Sequence, residues 1–438
     1  MADLKLRFEF EPADGVSHPA LRSTWARIEI GVGESIVTSV HDARGGGARR
    51  GVYGPAFLIA EWVVRNFWFL LNECSPSAIT PSRAWLRRHS LVGAREGTSL
   101  PHFRLYRDEE RVTAEWFAER ATERQPVAFI ESGRADLEPA QVRAALASAV
   151  DQVIEQLRGC SHPDVEALRE DWGAIVEVGG DDLKLCRRAA RMGLDAFEPG
   201  DVDDSMVRLL METADRLPLA TRDDLLDAGV ASSRLAAALA AVIDVVDGDA
   251  AHRLHPGLPT SSQPRLTDDS RPYDRGYHLA RELRQVSTIG SATKVDLKAV
   301  LERLKWGCLA DSLKPWHSPD RNVKALVGFA KPGVPMILAP ALPSKKAERF
   351  LVARGLYSLL SHSTEKSPRL LTGAGSATQS AGRAFAAELL APADMIRARL
   401  DAGVDDERLE EIAEEFGVSD AVIRHQIDNH GLAPATRI

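Results

Sequence analysis

Two histidines three positions apart, His252 and His255, have a spacing at which imidazoles converge on zinc, a metal that takes nitrogen, sulfur or carboxylate ligands in a tetrahedron. They lie in a proline-bearing stretch with no third ligand close by in the chain, so they read as a solvated loop. His425 and His430, near the end of the chain, read as surface residues. Cys74, Cys160, Cys186 and Cys308 stand far apart and form no Cys-x-x-Cys pair. Neither a thiolate zinc site nor a disulfide framework is expected, and reduced cytoplasm is the compartment this usage fits. No Gly-x-Ser-x-Gly, Walker or kinase signature occurs, and Gly31-Val32-Gly33 and the Gly45 to Gly47 run lack the strand-to-helix setting of a phosphate cradle. Both read as turns. Arg83, Arg87, Arg88 and His89 surround Trp85 and have the chemistry to meet an anionic partner. The simpler reading is a charged face with Trp85 anchored in the core.

Behind these residues stand three kinds of segment. In the first, Arg27 to Ile30 alternates, Ile36 to Val40 is rich in β-branched residues, and Gly31 to Glu34 supplies a turn, which predicts two strands joined as a hairpin. Phe57 to Asn72 carries only Glu61 and Arg65 as charges and is apolar on nearly every face, which predicts a buried central helix. Further strands are expected at 103–106, 111–116 and 127–130. Trp25, Trp62, Trp68, Trp85 and Trp116 suit a large aromatic core or an exposed hot spot. From Glu138 the apolar period turns helical, through stretches 183–192, 205–217 and 234–246. Residues 248–271 are polar, contain Pro256, Pro259 and Pro264, and read as a linker. Then come helices at 274–286 and 295–304, strands at 323–330 and 334–338, helices at 345–362 and 379–390, and a Gly/Ser/Thr-rich loop between those last two.

That order, closing with Gly382-Arg383-Ala384-Phe385-Ala386-Ala387-Glu388-Leu389-Leu390-Ala391-Pro392, resembles the ImmA/IrrE family of zinc metallopeptidases. Arg275-Gly276-Tyr277-His278-Leu279-Ala280-Arg281-Glu282-Leu283-Arg284 is similar to the family's first helix, and the resemblance runs from about Asp274 to Leu432. It implies a zincin-like fold in a bacterial regulatory setting. It also implies a His-Glu-x-x-His helix, in which two histidines at i and i+4 bind zinc and the Glu polarises the bound water. Aligned on Arg349-Phe350 and Leu356, this sequence has Arg354 and Ser358 where the resemblance puts the two ligands, and Gly355 where it puts the general base. The stretch Ala377 to Gly382, where the resemblance puts an acidic third ligand, has no carboxylate. His362 matches a position where the family often has a histidine that is not a ligand. An arginine is always cationic, offers no lone pair and repels a metal ion. The expectation is therefore a domain with no catalytic residues, no metal and no cofactor. Arg354, Ser358 and His362 would line a groove available to a protein partner.

The last segment allows two readings. Leu409, Ile412, Ala413 and Phe416 form an apolar stripe, Gly417-Val418 turns the chain, and Ser419 is placed to cap a helix from Asp420 to Asn429. As a helix-turn-helix it would present Arg424, Gln426 and Asn429 to DNA bases. Against that, residues 401–438 hold ten acidic residues and three arginines, so they carry −7 of the net −8 of the 438-residue chain. A phosphate backbone would be repelled. The resulting expectation is a predominantly helical α+β protein: a mixed α/β N-terminal domain (1–135), an all-helical domain (136–247), a linker (248–272), a peptidase-fold domain (273–400) and an acidic helix-turn-helix-like pair (401–438). Its expected function is non-catalytic regulation through another protein. The alternatives are a DNA-binding regulator using the last helix pair, or a metallopeptidase with a site of another kind. The N-terminus lacks a signal-peptide pattern, and the most apolar helical stretch, 235–246, is interrupted by Asp244 and is shorter than the ~18 residues that span a bilayer, so no membrane partner is expected.

Overall fold

The computed structural model describes residues 2–42, 47–76, 81–121, 127–198, 200–247, 271–287, 292–304, 306, 313–318, 320–331, 334–361, 367–400 and 405–432. The expected linker falls almost wholly outside the described residues. The chain is an α+β protein, predominantly helical. It divides into two compact units, residues 1–204 and 205–438. The division falls inside the helical stretch 136–247 and not at either of its ends.

In the first unit, β1 (Leu4–Phe10), β2 (Trp25–Val32), β3 (Ser35–Ile36) and β6 (Val52–Pro55) form one antiparallel sheet around β2. The expected hairpin exists, but its second arm is only two residues long. Val40 leaves it to start β4 (Val40–Asp42), which pairs with β5 (Gly47–Arg49) and β9 (Val127–Phe129). A third sheet holds β7 (His102–Asp108), β8 (Arg111–Phe117) and β10 (Gly133–Leu137). Short helix α1 (Pro19–Ser23) is followed by α2 (Ala56–Asn72), which is buried on almost every side. Buried Thr24 fixes its start: its carbonyl accepts from Ala56 N at 2.8 Å and its hydroxyl from Phe57 N at 3.2 Å. These bonds satisfy two of the amides that a helix start leaves without partners.

Helices α3 (Arg83–His89), α4 (Pro139–Gln156), α5 (Pro163–Glu177) and α6 (Gly180–Arg191) complete this unit. Val142, Leu146 and Val150 of α4 and Trp172 of α5 lie in the same core cluster as α2. The apolar face of α2 is wide enough to need helices as well as strands against it. This is why residues 139–191 belong with the strands that precede them.

The second unit begins irregularly. The continuous helix expected over 205–217 is instead one turn of α7 (Asp204–Arg208), a π-helical turn at 209–213 and a 3₁₀ turn at 214–216. Helices α8 (Leu219–Leu226), α9 (Ser232–Asp247), α10 (Pro272–Val286) and α11 (Leu297–Arg303) follow. The sheet has the order β11 (Leu313–Pro315), β13 (Val334–Ala339), β12 (Val323–Lys331), β14 (Arg369–Thr372). Its β11 to β13 pairing is parallel and the other pairings are antiparallel. Helices α12 (Lys345–Ser361), α13 (Ala377–Leu390), α14 (Ala393–Arg397), α15 (Asp406–Phe416) and α16 (Asp420–His430) pack with it around one core that includes Leu356, Phe385, Ile396 and Phe416.

Helix α10 lies across α13 at Gly276. A Cβ there would fall 2.2 Å from the Ala381 carbonyl oxygen and 2.8 Å from Phe385 N, so only glycine permits this approach. Gly417, in the left-handed region at φ 66°, turns the chain between α15 and α16. Ser419 stands at the N-cap of α16, but its hydroxyl makes no capping bond. Among the described residues, no helix is long and apolar enough to cross a membrane.

Candidate functional site

Arg354, Gly355 and Ser358 sit mid-way along α12, a helix whose inner face is buried from Leu351 to Leu360. Spaced i, i+4, Arg354 and Ser358 share the side of the helix directed into the domain. Arg354 Nη2 donates to the Thr372 carbonyl at 2.9 Å and to Gln379 Oε1 at 2.8 Å. Gln379 Oε1 also accepts from Thr372 N at 3.0 Å, and its Nε2 donates to the Leu370 carbonyl at 2.7 Å. The Gln379 amide therefore pairs with strand β14 as a neighbouring backbone amide would. Asp224 of α8 takes the remaining group, accepting from Leu370 N at 2.9 Å while it holds Arg369 through both carboxylate oxygens at 2.7 and 2.9 Å. Three side chains thus occupy the backbone groups that β14 would otherwise offer to an added strand.

The charge at this place is positive. Arg354 is 6% exposed, and among the described residues no carboxylate pairs with it. Burial, reinforced by the charge of Arg383, pushes its guanidinium down to about 9. Burial likewise lowers Arg383, which is held by the Ala374 carbonyl at 2.9 Å and by Ser380 Oγ at 3.0 Å. Lys324 is lowered by burial and then by Arg354. Gly355 faces the sheet: a Cβ added to it would lie 2.7 Å from Ile337 Cδ1.

Residues 323–428 match the model of a protein family described as the IrrE N-terminal-like domain. The match starts at β12 and ends inside α16, about a quarter of the chain. Helices α10 and α11 lie outside the matched range but in the same compact unit. No curated protein and no solved structure matches the chain.

The described residues at the centre of this IrrE-like segment do not fit the zinc ion that the family implies. Arg354, which the resemblance sets at a ligand position, is a guanidinium with no lone pair, Arg383 and Lys324 add positive charge near it, and the polar group it meets is a neutral amide already bonded to β14. Arg354 and Ser358, expected to line a groove open to a partner, are 6% and 5% exposed. Facing the sheet interior, they offer no surface for that contact in this conformation. His362, the third residue expected there, lies outside the described residues, as do His252 and His255.

The three residues expected to read DNA point elsewhere. Gln426 is fully buried, donating to Glu388 Oε2 at 2.8 Å and to the Ala391 carbonyl at 2.9 Å. Arg424 is exposed but paired with Asp406 at 2.7 Å and Asp420 at 3.6 Å. Exposed Asn429 donates to the Tyr277 hydroxyl at 3.1 Å. The inner face of α16 thus grips α13, the residue that follows it, and Tyr277 of α10. Its anchor is Glu388, 2% exposed, which also meets Arg281 at 2.8 Å and Ala393 N at 3.2 Å. His430, expected at the surface, instead packs its ring 4.5 Å from that of Tyr277.

In the first unit, Arg83 and Arg87 beside Trp85 are exposed and Arg88 is partly buried, as expected of a charged face over a core tryptophan, while His89 is buried. Trp85 is buried and stacked on His89 at 4.3 Å, while Arg88 and His89 converge on Glu73, with Arg88 Nε at 2.8 Å and His89 Nε2 at 2.9 Å. Arg83 and Arg87 line a cavity of about 550 Å³ together with His102 and Arg104. Trp62, Trp68, Trp85 and Trp116 are buried and Trp25 is partly so, which makes them core and not a contact surface.

The sequence reading overlooked Gln379, although it lies in the stretch noted for having no carboxylate. A polar residue just past a helix start, facing an edge strand, was the available signal. It also overlooked the cluster of His18, His162 and Asp164, whose members are brought together across 144 residues.

Proposed function

We propose that the chain is a non-catalytic regulatory or interaction protein in which the IrrE-like segment serves as a binding scaffold and not as a peptidase. The observation that carries this reading is the buried Arg354–Gln379–Thr372 network. Hydrolysis of a peptide by a metallopeptidase needs a Lewis-acidic ion and an activated water at the scissile carbonyl. Here a guanidinium and a carboxamide occupy the centre, and two further cations oppose a metal. The side chains on β14 also support the reading, because a peptide that adds to a sheet edge needs the backbone groups they take.

Another protein is the partner class this reading calls for. The outer face of α15 exposes Asp406, Glu407, Glu410, Glu411, Glu414 and Glu415; four of these pair with Arg424, Arg408, Lys346 and Arg399, and the acidic excess that Glu407 and Glu410 leave favours a basic partner surface over a phosphate backbone. The test is to capture the partner from the native host and incubate it with the purified, zinc-supplemented chain. The partner is expected to stay intact; cleavage that stops on chelation would overturn the proposal.

A further inference from the structure

The first unit holds a cluster that neither the IrrE-like segment nor the proposed function uses. The tripeptide Ser-His-Pro occurs twice, at 17–19 and at 161–163, and each copy opens a helix. A residue before proline is driven to extended backbone, and both histidines obey this, with φ −70°, ψ 121° at His18 and φ −148°, ψ 142° at His162. The fold brings the two imidazoles together edge to face, with ring centroids 4.5 Å apart. Asp164, one turn-position inside α5, adds a carboxylate oxygen 3.1 Å from His18 Nε2 and 3.6 Å from His162 Nδ1.

We propose that His18, His162 and Asp164 form a binding site for a divalent transition metal, zinc by the nature of its donors, which ties the entry to α1 to the start of α5. The geometry is the first argument. Zinc bonds of about 2.0–2.1 Å in a tetrahedron place neighbouring ligand atoms ~3.3 Å apart, and the two measured separations bracket that value. One ligand atom from each of the three residues lies within 4.8 Å of the others, so small side-chain rotations complete the set.

Donor type is the second argument: two imidazoles and a carboxylate are a zinc set with the fourth position left to water. Access is the third, since the side chains are 32%, 28% and 53% exposed and an ion can enter. Glu61 on α2 lies close enough to Asp164 for the two carboxyl groups to interact, which adds a second acidic group near the site. Two features oppose a cation here. The start of α5 carries a partial positive charge, and His162 Nδ1 accepts a long 3.3 Å bond from Asp164 N that a metal at that nitrogen would displace. Both are small beside the free energy of a three-ligand zinc site.

The experiment uses the full chain without a histidine tag. Zinc is titrated against a chromophoric chelator, and cobalt(II) is substituted as a spectroscopic reporter. One zinc per chain and a tetrahedral cobalt spectrum are expected. His18→Ala and His162→Ala should each weaken binding by more than the 10–100-fold that loss of an outer-shell partner causes. His252→Ala combined with His255→Ala should leave binding unchanged. Asp164→Asn keeps the side chain's size and serves if an alanine variant fails to fold. Absence of stoichiometric zinc, or zinc bound equally well by the His18, His162 and Asp164 variants, would overturn the proposal. Because the site lies outside the IrrE-like segment, neither outcome decides whether that segment is catalytic.

Discussion

Replacing Arg354 by methionine should change the stability of the C-terminal unit by no more than about 2 kcal/mol, although the residue is buried and charged. Burial and then Arg383 push the guanidinium well below its ordinary range, to about 9, which at about 1.36 kcal/mol per pH unit sets an unfavourable contribution of up to about 5 kcal/mol. Opposing it are two charge-assisted hydrogen bonds, to Thr372 O and Gln379 Oε1, at about 1.5–3 kcal/mol each. The contributions are of similar size. Methionine fills the same elongated space, relieves the buried charge and leaves Gln379 Oε1 still bonded to Thr372 N. Alanine leaves a cavity as well and should be the worse variant by about 2–4 kcal/mol. The assay is hydrogen exchange of the full chain in graded urea, reading peptides that cover α12 and β14. If Arg354→Met proved as damaging as Arg354→Ala, the charge itself would be required, and the view of this network as an internal edge cap would be wrong.

Three further outcomes follow from the same geometry. Gly276→Ala, which in an isolated helix would gain about 1 kcal/mol, should instead destabilise the C-terminal unit by about 2 kcal/mol or more, measured by thermal unfolding, because the new Cβ meets the backbone of α13. Burial alone would raise the carboxyl of Glu73, but the hydrogen bonds from His89 and Arg88 lower it below the usual range. Its stabilisation is therefore complete above the unfolded value of about 4.3 and is lost as pH falls from there through the lower folded value, so Glu73→Gln should flatten the acid limb of an unfolding profile recorded from pH 6 to pH 2. Duplex DNA at low salt should not bind measurably, and Arg424→Ala should leave a gel-shift or anisotropy titration unchanged, since Gln426 is buried and Arg424 is neutralised by Asp406 and Asp420.

Much of the fold was legible because its signals are local. The run of apolar residues in α2, the two strand stretches that become β12 and β13 and the Gly417 turn each announce themselves within a few residues. The domain boundary was less legible: α4 to α6 have the same helical period as α9, and only tertiary packing assigns them to different units. At the candidate site, the types of residue at Arg354, Gly355 and Ser358 were readable, but not that they face inward. That depends on Gln379, Thr372 and Asp224 meeting across β14. The last helix pair shows the same limit. Arg424, Gln426 and Asn429 look alike as polar residues in sequence, and it is the buried carboxylate of Glu388, set on another helix, that draws Gln426 inside.

The most direct test of a non-catalytic IrrE-like segment is the zinc content of the full chain carrying His18→Ala, His162→Ala, His252→Ala and His255→Ala together, measured after zinc loading and desalting, alongside cleavage of a fluorescent general protein substrate. The account predicts no retained zinc and no cleavage. A full equivalent of zinc held by that variant, with hydrolysis that stops on chelation, would contradict it.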